Sequence, residues 1–215
     1  MHGLLTAGAV LSMRPLDATS SVEDADRRCT LNELPGRRIA ILVEKLYEDV
    51  ELWYPFYRMR ETGADVVLVG PKAGETYPSK HGYPAESTLA SADADAAAFD
   101  AVIVPGGYAP DHMRRDPRMV GFVRDMDRSG KVVATICHAG WMLVSAGIVR
   151  GRRATSFHSI KDDLVAAGAR YEDSAVVRDG NLVTSRHPDD LPVFCAAIID
   201  AVSAARADRA WAAAK

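Results

Sequence analysis

Apolar residues along this chain follow two spacings, and the alternation between them carries the architecture. RIAILV (38–43), DVVLVG (65–70), DAVIVP (100–105) and the run from Val132 to Ile136 are short and nearly unbroken, which suits strands buried on both faces of a parallel sheet. EDVELWYPFYRMRET (48–62) and PRMVGFVRDMDRSG (117–130) instead place apolar residues at helical spacing, the first stopped by Gly63 and expected to kink at Pro55. Strand, helix and strand in that order predict a βαβ unit with a right-handed crossover. GETYPSKHGYPA (74–85) is rich in turn residues and predicts a small excursion or hairpin. Further on, ATSF (154–157) reads as a strand, IKDDLVAAG (160–168) as a helix, and SAVVRDGNLVTS (174–185) as a hairpin turning at Asp179-Gly180. DLPVFCAAIIDAVSAARADRAWAAA (190–214) closes the chain as a long helix. The whole predicts a three-layer α-β-α sandwich around a mostly parallel sheet.

Composition narrows the class. With 215 residues, 48% of them hydrophobic, the chain has enough apolar surface for one domain. A net charge of −3 and the lack of a Lys/Arg run argue against nucleic acid, and no run reaches transmembrane length. Cys29, Cys137 and Cys195 are few and far apart, as expected in a reducing cytosol, so a cytoplasmic protein is the expectation. Residues 1–36 read as an extension. Their apolar LLTAGAVL run follows only Met1, His2 and Gly3, with no Lys or Arg before it, so the targeting pattern is incomplete. The expectation is an extension that is flexible or packed on a partner subunit, with Cys29 an exposed bystander, and a single domain over residues 37–215.

Candidate chemistry concentrates where the run to Ile136 meets the segment from Trp141 to Gly147. Cys137-His138-Ala139-Gly140 leaves room only for a sharp turn, which puts one thiol at a strand's carboxyl end and a helix's amino end. Exposed N–H groups there favour a thiolate. The competing reading is a buried structural cysteine, the reading that suits Cys195 among Val193, Phe194, Ala196 and Ile198. Because ligands bind beyond the carboxyl ends of strands in such sheets, the loops holding Glu44 to Glu48, Gly106 to Asp111 and Cys137-His138 share one crevice. His81, His112, His158 and His187 have no metal-ligand spacing, and Gly106-Gly107 is neither a dinucleotide fingerprint nor a P-loop, so neither metal nor cofactor is expected.

The motifs YEDVEL (47–52), KHGY (80–83), FDAVIVPGGYAPD (99–111), ATICHAG (134–140), GIVRGRRATS (147–156), IKDDLVAAGA (160–169) and VTSRHPDD (183–190) together resemble the PfpI/ThiJ group of intracellular proteases and deglycases, within the class I glutamine amidotransferase-like superfamily. The resemblance runs from about Arg38 to the last helix and fits the PfpI branch best. It implies a flavodoxin-like sheet with a nucleophile elbow. It implies Cys137 as nucleophile, His138 as adjacent base and Glu48 as the acid contacting the sulfur. Gly107 and His138 would supply oxyanion N–H groups, with Gly106 and Tyr108 beside the substrate. Asp111 stands where the protease branch has a glutamate that a neighbouring subunit contributes to a triad, one methylene shorter. It also implies a homodimer or larger ring, with the 108–111 loop near the interface.

An ionised carboxylate against a thiolate is repelled, so the acid is expected to hold a proton, with a raised pKa at Glu48. Three functions follow. The first is a cofactor-independent cysteine enzyme on reactive carbonyls of the methylglyoxal class, a glyoxalase or deglycase. The second is a peptidase or amidase using a Cys-His-Asp triad. The third is a redox sensor or stress chaperone without turnover. The shortened Asp111 favours the first.

Overall fold

The computed structural model of the protein describes residues 33–213. The extension, with Cys29 and the LLTAGAVL run, lies outside the described residues except for 33–36. There Leu34 is buried, its N–H donating to the Thr62 carbonyl, and Glu33 pairs with Arg58 at 3.0 Å.

The four apolar runs form the centre of a sheet. β1 (Arg38–Leu42), β2 (Asp65–Gly70), β6 (Ala101–Val104) and β7 (Val132–Ile136) bury most of their residues completely. The edges are β5 (Leu89–Ala90) on one side and the hairpin β10 (Val176–Asp179) with β11 (Leu182–Ser185) on the other. Among the described residues the sheet order is β10-β11-β7-β6-β1-β2-β5, parallel throughout except for the β10–β11 pair. β1 thus leads to β2 on one side, while β6, β7 and β11 step away on the other. The crevice opens at this reversal, between the carboxyl ends of β1 and β6.

Two helical layers cover the sheet. α1 (Asp49–Glu61) and the last helix, α6 (Leu191–Ala213), pack on each other on one face. On the other lie α2 (Ala109–Met113), α3 (Pro117–Arg128), α4 (Gly140–Ala146) and α5 (Lys161–Ala166). This is the expected three-layer sandwich. α1 runs through Pro55, which is buried with Leu52 and Met59 on the sheet-facing stripe. Among the described residues, no helix is long and apolar enough to cross a membrane.

Departures from the sequence reading are short elements. ATSF gives only β8 (Arg153–Ala154), which pairs with β9 (Arg170–Tyr171) in a separate ribbon, and a 3₁₀ turn over His158–Ile160 delays α5. The excursion at 74–85, by contrast, forms the hairpin it was read as, β3 (Thr76–Pro78) with β4 (Pro84–Glu86). β5 and α2 were not foreseen, since two and five residues are too short to show a period.

Asp116 caps α3. Its carboxylate accepts from the Arg118 N–H at 2.9 Å and from the Ser91 hydroxyl at 2.9 Å. Burial pushes this carboxyl up, but the hydrogen bonds from Arg118 and Ser91 outweigh it and hold the pKa below its ordinary value. Asp116→Ala is expected to lower stability by about 1 kcal/mol in urea unfolding at neutral pH. A depressed acid contributes above its unfolded pKa, so the gap from wild type should close as pH falls through the native pKa.

Candidate active site

Cys137 sits at the end of β7, in a 3₁₀ turn (Cys137–Ala139) that runs straight into α4. Its φ is +60°, in the left-handed region that L side chains avoid, at a cost of about 1–3 kcal/mol. The sulfur is therefore held out of the strand direction by a strained elbow, with the residue 8% exposed. The N–H groups of Gly107 and His138 both point at that sulfur and favour its charged form. Gly107 must be glycine: its φ is +75°, and a Cβ there would lie 2.5 Å from the Glu48 nitrogen. A bridge between Tyr47 and Gly107 locks this diglycine loop against the start of α1.

Against the sequence expectation, the carboxyl beside the sulfur belongs to Glu51 and not to Glu48. Glu48 is the N-cap residue of α1, and its side chain turns outward to an ion pair with Lys80 at 2.7 Å. One helical turn later Glu51 points inward with Leu52, Pro55 and Met59, fully buried, and its Oε2 accepts from the Gly106 N–H at 2.8 Å. Its other oxygen, Oε1, is buried without a hydrogen-bond partner. A Cβ on Gly106 would strike both the Cys137 Cβ and Glu51 Oε2, at 2.7 Å each, so the close approach of acid and thiol passes over a glycine. The signal for Glu51 was present in the sequence: it is a charged residue on the apolar face of a predicted helix. An uncompensated buried carboxylate is costly, so a charge placed on that face marks a candidate for function.

Burial raises Glu51 to about 7, above its ordinary 4.5, despite the Gly106 hydrogen bond. Burial also pushes the Cys137 thiol up, to about 12, helped by the charge of Glu51. The thiolate expected from the helix amino end is thus overridden, because desolvation and a neighbouring carboxylate outweigh two N–H donors. The raised acid expected at Glu48 is found at Glu51.

His138 places Nδ1 3.2 Å from the Cys137 sulfur and Nε2 3.1 Å from the Ser159 hydroxyl. Its ring stacks on Phe157 at 5.0 Å and meets the edge of Trp141 at 5.4 Å. Burial, then the charges of Lys80 and His158, hold its pKa below the ordinary value. Asp111 is exposed on α2, and among the described residues it makes no bond to His138. Within one chain, then, Cys137, His138, Gly106 and Gly107 come together, Glu48 turns away from the sulfur, Asp111 makes no bond to the His138 of its own chain, and Glu51, Ser159 and Lys80 were missed. Tyr108 lies at the rim, 61% exposed, with the Lys80 ammonium 5.8 Å from its ring centre.

One group among the described residues has metal-ligand proximity: Glu48, Asp49 and His81, whose ligand atoms lie within 4.8 Å of one another. Their donors are already engaged, Glu48 by Lys80, and Asp49 by the Ser79 hydroxyl at 2.5 Å and His81 Nδ1 at 2.7 Å.

The sequence profile of the DJ-1/PfpI family matches residues 37–201. The chain is 42% identical over 154 residues to "Deglycase PfpI" of Pyrococcus furiosus, covering 72% of this chain and 92% of that protein. It is 42% identical over 161 residues to "Protein/nucleic acid deglycase 2" of Escherichia coli (strain K12), covering 74% and 94%. Among solved structures, a two-domain protein of Anabaena variabilis with DJ-1/ThiJ/PfpI-like and ferritin-like domains is similar at a TM-score of 0.75 and 42% identity; the match covers 76% of this chain and 47% of that one.

Proposed function

The chain belongs to the DJ-1/PfpI family, and from that premise we propose that it is a cofactor-independent cysteine enzyme acting on reactive carbonyls, with methylglyoxal the simplest substrate. The observation that supports this reading is the set Glu51, Cys137 and His138: a buried acid and a thiol, with a neutral base 3.2 Å from the sulfur. That set moves protons without needing a permanent charge.

In the proposed reaction His138 Nδ1 takes the thiol proton as the sulfur attacks the aldehyde carbon. The C–S bond forms, and the carbonyl electron pair moves to oxygen beside the Gly107 and His138 N–H groups. His138 passes its proton to that oxygen, giving a hemithioacetal. The neutral imidazole then removes the proton from the former aldehyde carbon while Glu51 protonates the neighbouring carbonyl oxygen, giving an enediol. Return of the carbon-bound proton to the second carbon, and of the first hydroxyl's proton to Glu51, leaves a thioester. Water cleaves it to lactate and restores the thiol.

Amide hydrolysis asks for something else: an imidazolium held ready to protonate a leaving amine, ordinarily with a carboxylate behind it. Here Nε2 faces a hydroxyl. A peptidase would need Asp111 from a second copy at His138, in a dimer or ring with the 108–111 loop at the contact. Lactate formation from methylglyoxal without glutathione is the expected result, with no release of fluorophore from peptide amides. Peptide-amide turnover that Asp111→Ala abolishes, without lactate, would replace this reading with the peptidase. Ready peroxide oxidation of Cys137 with neither turnover would replace it with a redox sensor.

A further inference from the structure

We infer that Ser159 is the positioning partner of His138: its hydroxyl oxygen accepts from Nε2–H and so holds the neutral imidazole in the tautomer whose Nδ1 lone pair faces the Cys137 sulfur. The two distances, 3.1 Å at Nε2 and 3.2 Å at Nδ1, put the ring between one hydroxyl and one thiol. A thiol that keeps its proton is a donor toward Nδ1, which leaves the proton of the neutral ring on Nε2 and makes the Ser159 oxygen its acceptor.

The surroundings keep the ring in that pose. Phe157 stacks on it, and Trp141, pinned by its own N–H to Asp163 at 2.8 Å, closes the edge. Ser159 rides on the 3₁₀ turn His158–Ile160, which is anchored by the buried Ile160. The charged or titratable groups around His138 are His158 on that turn, Lys80 on the β3–β4 hairpin and Cys137 on the elbow, with Glu51 on α1 behind the sulfur and Asp163 behind Trp141. Among the described residues no carboxylate bonds the ring. A hydroxyl stabilises an imidazolium far less than a carboxylate would, so Ser159 orients the base and leaves it neutral. Such a base suits removal of a proton from carbon. This catalytic consequence rests on the carbonyl reading above, but the tautomer does not.

The test is a long-range proton–nitrogen spectrum of the full chain labelled with ¹⁵N-histidine, with His138 assigned by its loss in His138→Gln. At pH 8 the wild type is expected to carry the proton on Nε2 with a bare Nδ1. Ser159→Ala should give mixed tautomers and Ser159→Thr should restore one. Ser159→Asp should raise the His138 pKa by at least one unit, because a carboxylate favours the imidazolium. With methylglyoxal, Ser159→Ala should lose roughly tenfold in kcat with KM within twofold, and Ser159→Thr should recover it. A wild-type proton on Nδ1, or a Ser159→Ala spectrum identical to wild type in tautomer and titration, overturns the inference. The expected spectra without lactate from any variant would uphold it and reject the carbonyl reading instead.

Discussion

Cys137→Ser is expected to abolish methylglyoxal turnover, by at least about 10³-fold, while leaving the circular dichroism spectrum unchanged. Serine fits the same elbow, since the strain there lies in the backbone φ of +60° and the sulfur adds little volume. What changes is the proton. The site already pushes a thiol up to about 12, by burial and by Glu51, and an alcohol starts several units higher still. His138 Nδ1 can accept from a thiol as it attacks; an alcohol in the same place gives up its proton too reluctantly. The same ionisation makes a second measurement decisive. Alkylation of Cys137, followed peptide by peptide to separate it from Cys29 and Cys195, should keep accelerating as pH rises above 9. A plateau by pH 7 would mean that the helix amino end wins after all and that the thiol rests ionised.

Strands β1, β2, β6 and β7 were legible because a strand buried on both faces must be apolar at nearly every position, and a four- to six-residue run is long enough to show it. The elbow was legible for a related reason: small residues between an apolar run and a helical segment leave the chain only one way to turn. The acid was not. Glu48 and Glu51 lie three residues apart, about one helical turn, so either could be placed beside the crevice and periodicity alone cannot choose between them. The choice depends on depth along the helix axis, set by the bridge of Tyr47 to Gly107 and by the capture of Glu48 by Lys80. Lys80 arrives from the hairpin at 76–86, whose position no local pattern encodes. Ser159 is hidden in the same way, because a polar residue in a turn looks like any solvated serine until the ring of His138 is seen across from it.

Replacing Glu51 separates stability from activity, and the two glutamate variants should part company. Glu51→Gln keeps an oxygen for the Gly106 N–H but has no proton to lend, so turnover should fall about 10²-fold. Its thiol, freed from the neighbouring negative charge, should alkylate faster than wild type at pH 8. Glu51→Ala also strands the Gly106 N–H in the interior, at about 1–3 kcal/mol, and should lose both activity and stability. The pH dependence carries the stronger test. Unfolded, the carboxyl ionises near 4.5; folded, burial holds its proton to about 7. A raised acid is no burden below pH 4.5, and it weakens the native state as pH climbs through 7, by about 3 kcal/mol in all. Glutamine has no proton to lose, so Glu51→Gln should match wild type near pH 4.5 and exceed it at pH 8 by an amount of that order, measured by urea unfolding at each pH. A gap that stays constant across this range would show Glu51 ionising as an ordinary surface carboxyl does. The shared proton on which the carbonyl chemistry depends would then have no holder, because Glu48, the other carboxyl of that turn, is already committed to Lys80.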